Sequence, residues 1–241
     1  MRWLGIIAIA LCASACKRGA EPVSEPPRME TLRQMVAHGA ALRNVPFHTV
    51  IEATTGHRVI PIDQQDPVAA AIVEALGEAV VEASETLSAE TSPLRRLRRI
   101  NEASRYFENE VLAQLNASGE FGCEIPPTAD GASQRSGYPD LKLTHLASGR
   151  IAYLDPKLFE QGSRGSSFRS FYYEPKSETN KVLEDAHHLL LGIEHDGRDG
   201  AWQFTNWHLV DLSKLSVRLK PEFQAANRDL YLDRAIISSG K

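Results

Sequence analysis

Residues 138–157 read YPDLKLTHLASGRIAYLDPK. Two alternating apolar runs flank Ala147-Ser148-Gly149-Arg150, a pattern that predicts a β-hairpin. Side chains alternate between the two faces of a strand, so Leu141 and Leu143 share one face of the first strand. In the second strand Ile151, Tyr153, Asp155 and Lys157 share a face for the same reason. Asp140 opens the first strand and lies opposite the end of the second. The hairpin therefore carries two carboxylates and one amine toward a common point.

Upstream, Ser92-Pro93 predicts a helix start and Leu94–Ala117 its body. At about 100° per residue, Leu97, Ile100, Ser104, Phe107, Val111 and Leu115 form one stripe. Glu108 falls inside that stripe, and a carboxylate on a core-facing side calls for a partner. Arg95, Arg96, Arg98 and Arg99 precede it, as a solvated face or as phosphate contacts. Gly119 ends the helix, Phe121–Ile125 predicts a strand, and residues 126–137 form a loop rich in Pro, Gly, Ser and Asp. Downstream, residues 168–174 predict an aromatic strand, in which Arg169 is a candidate phosphate contact. Ser177 or Thr179 caps a helix with its body over residues 180–188, and strands follow over residues 189–194 and 201–212. A short helix over residues 221–231 and an edge strand over 235–237 complete the expectation.

Toward the N-terminus, Met29–Arg43 has helical spacing. Residues 47–51 and 58–62 predict two strands around Thr54-Thr55-Gly56. Asp66-Pro67 caps and starts a long helix ending near Ala89, with Val68, Ile72, Leu76, Val80 and Leu87 on one face.

From Leu94 onward the expected order is αβββαβ, with Pro139-Asp140, fourteen intervening residues, and Asp155-Pro156-Lys157 at the strand ends. This resembles the PD-(D/E)XK nuclease superfamily, the restriction-endonuclease-like fold, over roughly residues 94–212. Phe107-Glu108 adds the acid that many members place on the preceding helix. The resemblance implies an α/β fold with a mixed sheet, a Mg²⁺ or Mn²⁺ cofactor and a nucleic-acid substrate, DNA in the first instance. It implies a catalytic set of Asp140, Asp155, Lys157 and Glu108, with the main-chain carbonyl of Pro156 as an extra metal ligand. The chemistry agrees: paired carboxylates suit a hard cation, and an ammonium suits the charge that develops during phosphodiester hydrolysis. Pro156 departs from the family pattern, because proline removes a ladder donor and can displace Lys157. A catalytically inactive envelope lipoprotein with the same fold is the alternative that this residue supports. Asp140-Leu141-Lys142 offers a second acid-x-Lys register, and an ion-paired surface hairpin is the structural alternative for the whole set. His187-His188 with Glu194-His195 is a weaker zinc candidate.

A net charge of −4 gives no global field for non-specific nucleic-acid binding. Cys123 is alone in the body of the chain, which leaves no intramolecular disulfide there. Residues 1–16, MRWLGIIAIALCASAC, have the charge, short apolar run and small residues of a signal peptide. The ending at Cys16 resembles a bacterial lipobox, implying a lipid anchor on Cys16 and an extracytoplasmic site, at the outer membrane facing the periplasm or the cell surface. The expected organisation is signal peptide 1–16, flexible tether 17–28, an extension 29–93 packing on the core, and a nuclease-like domain 94–241.

Overall fold

The structure is a computed structural model that describes residues 29–168, 171–220, 226–230, 232, 234 and 236–238. The leader and tether therefore lie outside the described residues, as do Cys16 and Arg169. The chain divides into two compact units: one spans Leu42–Leu219, the other the segments on either side of it. The terminal unit contains α1 (Met29–Ala41), and near the C-terminus a four-residue helix, Asn227–Leu230, stands where a longer one is expected. Ile236 and Ile237 are not in a strand.

The larger unit takes in residues from both sides of position 93/94. It opens with β1 (Val45–Pro46) and α2 (Phe47–Thr55). Residues 47–51 are thus helical rather than a strand, and residues 58–62 form only one isolated bridge, Val59 to Ala186. The reason is packing: Phe47 and Ile51 lie four apart, one helical turn, and both are fully buried. Gly56 then ends the helix at φ 78°, so Thr54-Thr55-Gly56 is a helix end and not a hairpin turn.

Next comes α3 (Pro67–Ser88), capped by Asp66, which accepts from the backbone N–H of Val68 at 2.9 Å. Its Ile72, Leu76, Val80 and Leu87 are buried, as the spacing predicts. Ser92 does cap a turn, but a short 3-10 one over Pro93–Arg96, and a second follows at Ile100–Glu102. The α-helix itself, α4 (Ser104–Ala117), begins ten residues later than expected. The early turns bury Leu94 and leave the four arginines exposed, a result one continuous amphipathic helix is not needed to produce. Phe107, Val111 and Leu115 carry the buried stripe of α4. Each such side chain contributes about 1.5–3 kcal/mol by leaving water.

Five strands form the sheet: β2 (Phe121–Glu124), β3 (Leu141–His145), β4 (Arg150–Glu160), β5 (His187–His195) and β6 (Phe204–Asp211). Their spatial order follows the chain, β2-β3-β4-β5-β6, and only β4 and β5 run parallel. A two-residue β7 (Ser216–Val217) pairs with β1. The hairpin is present, with Leu141 against Leu154 and His145 against Arg150, closed by Gly149 at φ 70°. Of the residues expected to form the aromatic strand, 169 and 170 lie outside the described residues, and 171–174 are not in a strand. Phe171 and Tyr173 do turn inward while Tyr172 stays exposed, so the alternation is real, but among the described residues this segment has no ladder partner. Residues 177–188 are not a helix either. They end an irregular crossover from β4, and β5 starts at His187.

One core fills the face of the sheet covered by α3 and α4, joining Leu76, Val80, Phe107 and Val111 to Leu143, Leu154 and Leu191. A smaller core lies on the other face, around Phe47, Tyr138, Tyr153 and Leu212. The result is a mixed sheet flanked by helices, the restriction-endonuclease-like α/β class expected from the sequence. Among the described residues of the crossover there is a short 3-10 turn, Ser163–Gly165, and no α-helix.

Candidate active site

Asp140 stands one residue before β3, just after a cis Tyr138–Pro139 peptide. Its N–H donates to the carbonyl of Leu154 at 3.2 Å. The antiparallel register ends with Leu141 opposite Leu154, and with the Asp140 N–H on that same Leu154 carbonyl, Asp140 stands beside the next residue of β4, Asp155. The strand period then brings Lys157 onto the same face as Asp155. One ammonium joins the two acids: Lys157 Nζ lies 2.8 Å from Asp155 Oδ2 and 3.3 Å from Asp140 Oδ2. It also donates to the Pro156 carbonyl at 3.3 Å.

Pro156 does not displace Lys157. Leu154 turns its carbonyl toward β3, and two residues on Pro156 turns the same way. Because β3 starts at Leu141, Pro156 faces the space beyond its first residue. The missing N–H therefore costs the sheet no bond on that side, while Pro156 keeps its register with Leu191 of β5 on the other.

The acids are crowded. Asp155 is 3% exposed, and burial together with the neighbouring charge of Asp140 pushes its carboxyl up to about 7, against the pull of Lys157. Its Oδ2 touches the ammonium but has no aligned hydrogen bond. Burial lowers the proton affinity of Lys157, yet the charges of Asp155 and Asp140 outweigh it and hold the ammonium above its ordinary value. Glu108 on α4 is raised by burial and then by Asp140, with Arg135 and Lys157 opposing. Its Oε2 pairs with Arg135 Nη1 at 3.1 Å.

A buried Asp155 oxygen with no aligned hydrogen bond, beside a second carboxylate and a main-chain carbonyl, gives an all-oxygen set that fits a hard divalent cation. Among the described residues no three His, Cys, Asp or Glu side chains meet closely enough to hold a metal by themselves. Two carboxylates, one carbonyl and water are the donors on offer, a composition suited to Mg²⁺, which keeps several waters.

The sequence profile of the Type II restriction enzyme MjaV family matches residues 40–234. The chain belongs to that family. A relative, Type II restriction enzyme MjaV of Methanocaldococcus jannaschii, is 32% identical over 209 residues, covering 81% of this chain and 89% of the relative.

In this MjaV-family chain the hairpin brings Asp140, Asp155 and Lys157 into direct contact, and Glu108 senses them through charge. The histidine set does not converge. His187 and His188 lie on a strand, so they point to opposite faces, toward the Ile60 carbonyl at 2.9 Å and the Tyr138 hydroxyl at 2.7 Å. Burial, then His187, lowers His188 to about 3 and keeps it neutral. Cys123 is a buried free thiol. Two residues of the site escape sequence reasoning. Arg135 sits in the loop before Tyr138, and Lys181 in the crossover is only 1% exposed although it is a lysine. The one local hint for Lys181 is the apolar Val182-Leu183 that follows it.

Proposed function

We propose that this chain is a divalent-metal-dependent nuclease that hydrolyses phosphodiester bonds of DNA. The observation that carries the reading is the single Lys157 ammonium bracketed by Asp140 and Asp155, on the hairpin of a chain in a restriction-enzyme family. Asp140, Asp155 and the Pro156 carbonyl would hold Mg²⁺ or Mn²⁺, and Glu108 would join directly or through water. Such an ion supplies Lewis-acid polarisation of the phosphoryl oxygen and a more acidic bound water. Lys157, kept protonated by its two carboxylates, places a fixed positive charge where negative charge grows on the phosphoryl oxygens. Exposed Arg96, Arg98 and Arg99 provide local positive charge for phosphates on a chain whose net charge is negative.

Plasmid DNA and RNA incubated with the purified protein test this, with Mg²⁺, Mn²⁺ or chelator. Metal-dependent DNA cleavage that Asp155→Ala or Lys157→Ala abolishes is the expected result. A folded protein that cuts nothing with either metal returns the chain to the inactive-relative reading that Pro156 raised.

We also propose that the chain is exported and anchored through lipid on Cys16, extracytoplasmically at the outer membrane. This rests on the leader sequence alone, since residues 1–28 lie outside both the described residues and the family match. Mass spectrometry of the mature protein should find a lipidated Cys16 as its first residue. An intact Met1 overturns the anchor and leaves the nuclease reading standing.

A further inference from the structure

Lys181 is among the largest fully buried side chains of the chain. Its Nζ donates to two backbone carbonyls, Gln134 at 3.3 Å and Arg135 at 3.4 Å. No carboxylate lies within ion-pair distance of it among the described residues, yet the charges acting on it are those of Asp140, Glu108 and Asp155. A buried ammonium held by carbonyls alone is costly, and an apolar side chain of similar length would fill the space at lower cost. The charge therefore calls for a role beyond packing.

That role is visible in what the carbonyls belong to. The 126–137 loop and the crossover are stitched together: Ala129 N–H donates to Asn180 O at 2.8 Å, and Asp130 N–H to Glu178 O at 3.3 Å. Lys181 closes this stitch at residues 134–135. From the backbone so fixed, Arg135 sends Nη1 to Glu108 Oε2 at 3.1 Å and Nη2 to Asn109 Oδ1 at 2.8 Å. Arg135 is half-exposed, and such a long side chain holds one geometry only when its backbone is fixed.

We propose that Lys181 is a positioning residue: it clamps the 134–135 backbone so that Arg135 holds Glu108 beside Asp140, as a member of the oxygen set offered to the divalent ion. This rests on the nuclease reading above. Supporting partners of this kind typically change metal affinity by about 10–100-fold when removed. The direction is diagnostic. A positive charge that merely sits near three carboxylates repels a cation, so its removal would tighten metal binding. A clamp that organises the carboxylates does the opposite.

The experiment is Mn²⁺ titration of the full-length protein, read from the free-ion EPR signal, with a thermal melt of each variant. Lys181→Met and Arg135→Gln should each weaken Mn²⁺ binding about tenfold. The double variant should bind no more weakly than Arg135→Gln alone, because both act through one contact. Unchanged or tighter binding by Lys181→Met overturns the proposal, and so does an additive double variant. If Lys181→Met does not fold, Lys181→Gln, which keeps a donor for the carbonyls, is read in the same two backgrounds. Failure of both to fold makes Lys181 a structural residue and also overturns it. A wild-type protein that binds no Mn²⁺ overturns the nuclease reading itself, a result distinct from the others.

Discussion

Asp155-Pro156-Lys157 and Asp140-Leu141-Lys142 share one spelling on neighbouring strands of a single hairpin, and their lysines meet different surroundings. Lys142 lies across from Tyr153, two residues along the strands from Asp140 and Asp155 respectively. It turns to Glu184 at 2.6 Å, and Tyr153 donates a short hydrogen bond to that same carboxylate. Burial pushes the Glu184 carboxyl up, but Lys142 and Tyr153 outweigh it and hold it below its usual range. Every charge in that row has a partner. In the next row two carboxylates share one ammonium, and burial raises Asp155 to about 7. The first row sets one carboxylate between an ammonium and a phenol, and the second sets two carboxylates on one ammonium. One is a satisfied structural pair, and the other is a crowded site with room for one more positive charge. Strongly perturbed carboxylates of the second kind are the mark of functional sites.

Breaking the rows separately tests that distinction. Asp155→Asn should reduce metal-dependent DNA cleavage by about 10³-fold or more, without lowering the melting temperature, since it removes a buried and crowded charge. A variant that still cuts at the wild-type rate would place the chemistry elsewhere. Lys157→Met should reduce cleavage by roughly 10²–10³-fold, measured on the same plasmid. Loss of less than about threefold would make its ammonium a packing partner only.

The third comparison uses pH. A carboxyl whose proton affinity is higher in the folded than in the unfolded chain binds more protons when folded. Its stabilising contribution is complete below the unfolded value near 3.8 and is lost as pH rises through about 7. Between pH 5 and pH 8 the metal-free wild-type protein should therefore lose more of its melting temperature than the Asp155→Asn protein does. Parallel pH profiles for the two proteins would contradict the crowding. The smallest effect belongs to the satisfied row: Lys142→Met should cost about 1 kcal/mol of stability and leave cleavage close to wild type. Chemical denaturation and the plasmid assay read the two quantities. A collapse of activity there would erase the difference between the rows.

The hairpin is legible in the sequence because its information is local. A two-residue period, a glycine at the turn and polar residues breaking apolar runs at Asp140 and Asp155 are all within twenty positions. The cap of α3 is legible for the same reason. Residues 47–55 are not, because Phe-His-Thr-Val-Ile has strand composition, and the helix is chosen by where Phe47 and Ile51 must be buried. The crossover is misread in the opposite sense: Asn180–His188 has acceptable helical spacing, but His187 and His188 are claimed by pairing with Ala152 and Tyr153. Within the site, Asp155 and Lys157 follow from the strand period, and Glu108 from its place on a helical stripe. Arg135 and Lys181 do not, since the contacts that define them span 27 and 46 positions and leave no periodic trace.

The early end of β3 has a consequence for the backbone of β4. Beyond Leu154 the margin of β4 has no strand partner on that side among the described residues, and an unpaired buried N–H there is unfavourable. Pro156 sits in that stretch, buried, with no hydrogen to offer, so the strand passes its last partner without an unpaired N–H. The residue that departs from the family spelling therefore leaves its buried stretch of β4 without an orphaned donor.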